Sequence, residues 1–243
     1  MHSYITLRFQ VTDAAATITL DRPEARNALN LSMCEDLLAA ATAVAKDAAV
    51  RVLFIRGAGP AFCAGADLKE RAGKDQDWVR ARRMRAFDAY NALEGLPIPV
   101  IAVVEGPAMG AGVEIVSICD FAVATPAAAF GTPETMRGSI GATQRLPRIV
   151  GKRLAKDMMF TGRRIGADEA LRAGLVSRIV SKELLEEELK SISATIAGAS
   201  ADAMRLAKRC IDRGVELDPA GAMQVEIEAI DEQLASGKWM GKQ

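Results

Sequence analysis

The chain has 243 residues, half of them hydrophobic, and its 31 basic side chains balance 31 acidic ones. This length allows one large buried core, and a neutral chain without a basic cluster lacks the electrostatic footprint of a nucleic-acid binder. The only histidine, His2, stands at a terminus predicted to be frayed. This argues against a Ser-His or Cys-His catalytic pair and against a histidine metal site.

The sequence also predicts a soluble, cytoplasmic protein without a metal. Residues 1–13 have no apolar region typical of a signal peptide, and the longest apolar segment is interrupted by Glu105 and Pro107. The four cysteines are far apart and form no C-x-x-C pair, which predicts neither a disulfide framework nor a zinc site.

The first predicted elements are a strand, a turn and a helix. Thr17–Leu20 has the residues of a strand, and Asp21–Glu24 contains the proline of a turn. Ser32 and Glu35 have the spacing of a capping box, which predicts a helix that begins there and runs to about Lys46.

A second strand, a charged helix and a third strand follow. Val50–Arg56 is a buried strand, residues 75–94 form an amphipathic helix, and Val100–Glu105 is the next buried strand. Two groups of cations within these and later helices are predicted to be solvated helix faces rather than ligand sites. These groups are Arg80, Arg82, Arg83 and Arg85, and Lys152, Arg153 and Lys156.

Glu114 is the most informative residue of the chain, because it lies within the apolar stretch 98–119. The stretch reads as a strand, a Gly/Pro turn and a helix whose first turn is Met109–Gly112. A carboxylate in such surroundings is costly unless it is paired or its pKa moves. A functional role is therefore the leading hypothesis for Glu114.

The remaining elements complete an α/β pattern. Asp120–Ala124 is a strand, two helices flank Thr161–Gly162, and Leu175–Val180 is the last strand. Residues from Ser181 to about Ala235 have a helical pattern. We therefore predict an α/β core over residues 1–190 and a helical C-terminal region over 191–243 that packs on the core or on another subunit.

Two Gly-rich loops follow the two buried strands, at 62–68 and at 106–112. Small residues let a ligand approach the backbone, and free N–H groups at such turns can bind an anion. Two N–H groups directed at one point make an oxyanion hole. Each loop alone is more often ordinary packing than a site, and so is the Pro133–Glu134 turn.

Taken together, the motifs of residues 5–180 resemble the enoyl-CoA hydratase/isomerase (crotonase) superfamily. The motifs are DRPEARNAL at 21–29, FCAGADL at 62–68, GPAMGAGVE at 106–114, CD at 119–120, FGTPE at 130–134, TQRL at 143–146 and TGRRI from 161. The resemblance implies a crotonase-like spiral of ββα turns with a helical C-terminal region, and assembly into a homotrimer or a dimer of trimers.

The resemblance also implies catalytic roles. Glu114 and Glu134 match the two glutamates of the hydratases, and the backbone N–H groups of Ala66 and Ala111 match the oxyanion hole. The implied reaction adds water across the 2,3 double bond of a 2-enoyl-CoA thioester. Coenzyme A is then part of the substrate, and no separate cofactor is expected.

The coenzyme A arm is expected to follow the same loops. By resemblance, its contacts are Ala25, Arg26, Ala64, Asp67, Leu68 and Lys69. Arg26 and Lys69 could equally be solvated surface cations, and Asp67 could equally cap the following helix.

Two departures from the family pattern keep other functions open. Gly138–Ala142 leads into Thr143 with roughly three residues fewer than in relatives, a kind of loop change that can alter function. The chain also stops at Trp239–Gln243, where relatives add a closing helix, so the C-terminal region would form a partial lid. The alternatives are an enoyl-CoA isomerase, another thioester-enolate enzyme, an acyl-CoA hydrolase, and a non-catalytic CoA-binding or scaffold protein.

Overall fold

The computed structural model of the protein describes residues 3–237. His2 and the end of the predicted 191–243 region therefore lie outside the described residues. The described chain alternates strands and helices and then continues as helices alone, which confirms the predicted α/β class with a helical C-terminal region.

The strands of residues 3–237 form two sheets. The strands are β1 Leu7–Thr12, β2 Ala15–Leu20, β3 Val52–Gly57, β4 Val100–Val104, β5 Pro107–Met109, β6 Phe121–Ala124, β7 Ala129–Gly131, β8 Arg164–Gly166 and β9 Arg178–Ile179. The larger sheet has the order β1-β2-β3-β4-β6-β9 and the smaller one β5-β7-β8. In the larger sheet β1 is antiparallel to β2, and the other pairs are parallel.

The helices follow the strands closely through the core and then form the C-terminal region. They are α1 Leu31–Lys46, α2 Leu68–Arg71, α3 Gln76–Glu94, α4 Ala111–Ser117, α5 Arg145–Thr161, α6 Ala167–Arg172, α7 Leu185–Gly198, α8 Ala201–Gly214 and α9 Pro219–Ala235. Within residues 3–237, none of them combines the length and the apolar character needed to span a bilayer.

The central strands are buried on both faces, as expected for a parallel sheet. On one face, Leu53 and Ile55 of β3 join the main core with residues of α1 and α3. On the other face, Val52 and Phe54 pack with four apolar side chains of α7. The boundary predicted at residue 190 falls inside α7, and the division into two regions stays a prediction.

Two predicted helix starts were wrong. Helix α1 begins at Leu31, one residue before Ser32, because the side chain of Asn30 accepts a hydrogen bond from the amide of Met33 and caps the helix. Met109 lies in β5, paired with Gly131, instead of in the first turn of α4. Gly110 has φ +52° and ψ −111°, a glycine conformation that separates strand from helix.

Candidate active site

A cavity of about 290 Å³ opens where β3 and β4 end. Because neighbouring parallel strands end at the same edge of a sheet, the two Gly-rich loops meet there, as the sequence predicts. Helix α3 and the segment 133–141 form the remaining walls. Of the predicted site residues, the cavity is lined by Ala64, Ala66, Asp67, Leu68, Ala111, Glu114 and Glu134.

The two loops touch through their backbones. A single bridge pairs Cys63 of the first loop with Ala108 of the second, and another pairs Ala66 of the first loop with Leu29. Gly112 is packed so tightly that a Cβ there would lie 2.5 Å from the carbonyl oxygen of Cys63. Only glycine fits this approach, which brings the start of α4 against the first loop.

This packing brings the two predicted amides to the same part of the cavity wall. A Cβ on Gly65, the residue before Ala66, would lie 3.8 Å from the backbone nitrogen of Ala111. Neither the Ala66 nor the Ala111 N–H donates a hydrogen bond within the described chain, although flanking amides such as Asp67 and Met109 do. Both N–H groups thus remain available to a ligand oxygen.

Glu114 enters the cavity from the first turn of α4 and is half-buried. Its Oε1 accepts a hydrogen bond of 2.9 Å from the amide of Ala142. Ala142 has φ +53°, which is uncommon for a residue with a side chain. A strained backbone position therefore presents the N–H group that orients Glu114.

Glu134 follows β7 and faces the same cavity from the opposite side. Its Oε2 is buried and has no hydrogen-bond partner among residues 3–237. Burial, the largest effect, raises the pKa of the Glu134 carboxyl, and the charge of Glu114 acts in the same direction. A hydrogen bond from its own backbone and the nearby guanidiniums of Arg137 and Arg83 oppose this rise.

The two carboxyl groups are linked by consecutive residues of one loop. The amide of Ala142 binds Glu114, and Gly141 packs so closely on Glu134 that a Cβ there would lie 3.3 Å from its Cγ. One carboxylate thus has a hydrogen-bond donor and the other a dry environment. The two carboxyl groups of the cavity therefore lie in different local environments.

The remaining predicted ligand residues are divided between structural roles and the surface. Asp67 caps α2 by accepting from the Lys69 and Glu70 amides, and it forms an ion pair of 3.0 Å with Arg22. Lys69 and Arg26 are exposed, and neither they nor Ala25 line the cavity. The Arg26 carbonyl accepts from the amide of Ala64, which connects that turn to the first loop.

Helix α3 lines the cavity with residues that were not predicted as site residues, among them Arg82, Arg83 and Tyr90. Tyr90 is 1% exposed, its hydroxyl has no partner within residues 3–237, and burial raises its pKa well above the ordinary value. The sequence signal was the helical spacing of Val79, Arg82, Ala86 and Tyr90, which places them on one face. This face was not predicted as part of the site, because its arginines were interpreted as a solvated helix face.

Across residues 3–237, no group of three or more His, Cys, Asp or Glu side chains is arranged to hold a metal ion.

Comparisons with known proteins give a consistent result. The sequence profile described as enoyl-CoA hydratase/isomerase matches residues 10–238. The chain is 37% identical over 236 residues to a crotonyl-CoA hydratase of Syntrophomonas wolfei, covering 93% of this chain and 89% of that protein. It is 39% identical over 217 residues to the human mitochondrial enoyl-CoA hydratase domain-containing protein 2, covering 86% and 74%.

Solved structures agree in fold. A crystal structure of an enoyl-CoA hydratase from Bacillus anthracis superposes with a TM-score of 0.90 at 39% identity, covering 93% of this chain and 90% of that one. A structure of an enoyl-CoA hydratase from Mycobacterium smegmatis gives a TM-score of 0.91 at 34% identity, covering 95% and 91%.

Proposed function

Because the chain belongs to the enoyl-CoA hydratase/isomerase family, we propose that it is an enoyl-CoA hydratase. It would add water across the 2,3 double bond of a 2-enoyl-CoA thioester. The observation that carries this proposal is the convergence of Glu114 and Glu134 on one cavity whose wall also presents two unpartnered amides. The family and the relatives support an enoyl-CoA hydratase or isomerase, and the site geometry supports hydration.

In the proposed mechanism, Glu114 is the base. It is oriented by the Ala142 amide and takes a proton from the water that attacks C3. Glu134 is the acid that protonates C2; burial raises the pKa of its carboxyl, a direction that favours the protonated form. Each proton transfer would contribute a factor of about 10²–10⁴ in rate.

The backbone amides of Ala66 and Ala111 would stabilise the negative charge that develops on the thioester oxygen. Preformed donors of this kind contribute about 10²–10³ in rate per donor. The product is a 3-hydroxyacyl-CoA. Coenzyme A enters and leaves as part of the substrate and product, and the proposal needs no other cofactor.

The coenzyme A arm would run along the first loop past Ala64 and Leu68, which line the cavity. Arg26 and Lys69, both exposed, would meet its charged end, with Ala25 beside them. Asp67 would act indirectly, since its carboxylate is already engaged by Arg22 and by the start of α2.

Assembly into a homotrimer or a dimer of trimers is part of the same proposal. Helices α8 and α9 expose large apolar side chains, among them Ile211, Ile227 and Ile230, and Val215 directly after α8 is also exposed. Contiguous exposure of this kind marks interaction surfaces. Light scattering on the purified protein tests the proposal, and a monomer at micromolar concentration would contradict it.

Hydration is tested by following crotonyl-CoA, whose conjugated absorbance disappears as water adds. We expect Glu114→Gln and Glu134→Gln each to lose about 3–6 kcal/mol of transition-state stabilisation, and Glu187→Gln, at an exposed position of α7, to lose none. Full activity of either site variant would refute the two-carboxylate mechanism. Conversion of a 3-enoyl-CoA without hydration would favour the isomerase instead, and binding without turnover a non-catalytic role.

A further inference from the structure

Two neighbouring arginines of α3 turn inward, against the prediction that their group is a solvated helix face. Arg82 has a side chain only 10% exposed and donates to the carbonyl of Leu29, which is bridged to Ala66. Arg83 reaches the opposite wall. Its Nη2 lies 2.7 Å from the hydroxyl of Ser139 and 2.8 Å from the carbonyl oxygen of Ile140.

One and two residues beyond that contact, the same loop meets the catalytic groups of the proposed reaction. Gly141 packs on the side chain of Glu134, and the Ala142 amide donates to Glu114. The other hydrogen bond that fixes this stretch is local, from the Ser139 amide to the Glu134 carbonyl. Arg83 therefore provides the tie between this loop and a long, well-packed helix.

We propose that Arg83 is a positioning residue for both glutamates, an inference that rests on the proposed function. By holding residues 139–140 against α3, its guanidinium keeps Gly141 and Ala142 where Glu134 and Glu114 need them. Ala142 makes this tie necessary, because its φ of +53° is an unfavourable conformation that a released loop would leave.

The charge of Arg83 acts on the same acid. The charged groups near Glu134 are Glu114 from α4, Arg83 from α3 and Arg137 from its own turn. Burial and the Glu114 charge raise the pKa of Glu134, and the Arg83 cation lowers it. Removal of this cation should therefore raise the pKa further and move the alkaline limb of the rate profile to higher pH.

The test compares Arg83→Met, Arg83→Lys and a control, Arg80→Met, with crotonyl-CoA as substrate. Arg80 is exposed on the same helix and makes no hydrogen bond or ion pair within the described residues. We expect Arg83→Met to lower kcat on the order of 10- to 100-fold, the scale of losing hydrogen bonds from a charged donor, with a smaller change in KM. Arg83→Lys should recover part of kcat, and Arg80→Met should match the unaltered protein.

The pH profile separates positioning from simple stabilisation of the fold. A shift of the alkaline limb to higher pH in Arg83→Met, reduced in Arg83→Lys, supports the inference. An unchanged kcat in Arg83→Met would overturn it. So would a loss of kcat that Arg80→Met shares, or a loss accompanied by a lower melting temperature and an unmoved limb.

Failure of the proposed function looks different, because the unaltered protein would then hydrate no enoyl-CoA thioester. In that case the inference is tested by the ¹³C NMR titration of the Glu134 carboxyl, whose signal is identified by its absence in Glu134→Gln. A higher Glu134 pKa in Arg83→Met than in the unaltered protein would support the placement of Arg83. Identical titrations would overturn it.

Discussion

Replacement of Gly110 by alanine should displace Glu134, the acid of the proposed reaction, without removing any functional group. A Cβ at Gly110 would lie 2.2 Å from Oε1 of Glu134, well inside van der Waals contact. The carboxyl group must move to relieve this overlap, and an ordinary contact of about 3.4 Å requires a displacement of roughly 1 Å. A misplacement of this size at a reacting group can lower the rate on the order of 10²-fold.

The same substitution also strains the backbone. Gly110 has φ +52° and ψ −111°, a conformation that costs a residue with a side chain about 1–3 kcal/mol. The expected result for Gly110→Ala is therefore a kcat lower by about two orders of magnitude together with a moderately lower free energy of unfolding. Activity per folded molecule, rather than total activity, is the quantity to compare.

Hydration of crotonyl-CoA and denaturant unfolding measure the two effects. Gly73→Ala is the matched control, because Gly73 also has a positive φ, of +73°, but a Cβ there would meet nothing within 4 Å. It should lose stability and keep kcat. Equal losses of kcat in Gly110→Ala and Gly73→Ala would refute the reasoning. It would also be refuted if adding Gly110→Ala to Glu134→Gln lowered kcat by the same factor as Gly110→Ala does alone.

Two further predictions concern stability. Burial raises the folded-state pKa of Glu134, so the stabilising contribution of its proton is complete below the unfolded pKa of about 4.3 and is lost as pH rises through the folded pKa. Glu134→Gln should thus unfold at higher denaturant concentration than the unaltered protein near neutral pH, with the two curves converging toward acid; a difference independent of pH would contradict this. Asp36→Ala should lower the free energy of unfolding by about 3 kcal/mol or more, because Oδ2 of Asp36 accepts three hydrogen bonds of 2.8 Å from Ile5 and Thr6. These residues lie outside the cavity, so kcat/KM per folded molecule should stay unchanged. Equilibrium unfolding with parallel kinetics checks this, and an unchanged unfolding midpoint would refute it.

Much of the α/β pattern can be predicted from local sequence signals. The buried strands β3 and β4 are apolar along their whole length, and α3 is confirmed to within one residue of the predicted 75–94. Strand β1 was missed, since its five residues after Leu7 are exposed or half-buried and carry little apolar alternation. The last strand is much shorter than Leu175–Val180, because only Arg178 and Ile179 pair with β6.

The sequence pointed to the two glutamates that line the cavity, but not to the side chains of α3 beside them. Glu114 and Glu134 were singled out because carboxylates in apolar or motif surroundings are conspicuous in a sequence, and their catalytic roles stay a prediction. Arg83 and Tyr90 gave no such signal, since the direction of a helix face depends on what packs against it. A run of arginines is solvated on most helices, and here Leu29 and the loop 139–140 draw Arg82 and Arg83 inward.

The two sides of the cavity are built with different rigidity. The amide side is fixed by main-chain pairing, through the bridges of Leu29 to Ala66 and of Cys63 to Ala108, so in the proposed reaction it would be preorganised before a thioester binds. The side formed by 138–142 is fastened mainly by side chains, those of Arg83 and Glu114. Under the proposed function, changes to the second side would therefore alter which acyl groups fit, while the contact of the amides with the thioester oxygen would stay constant.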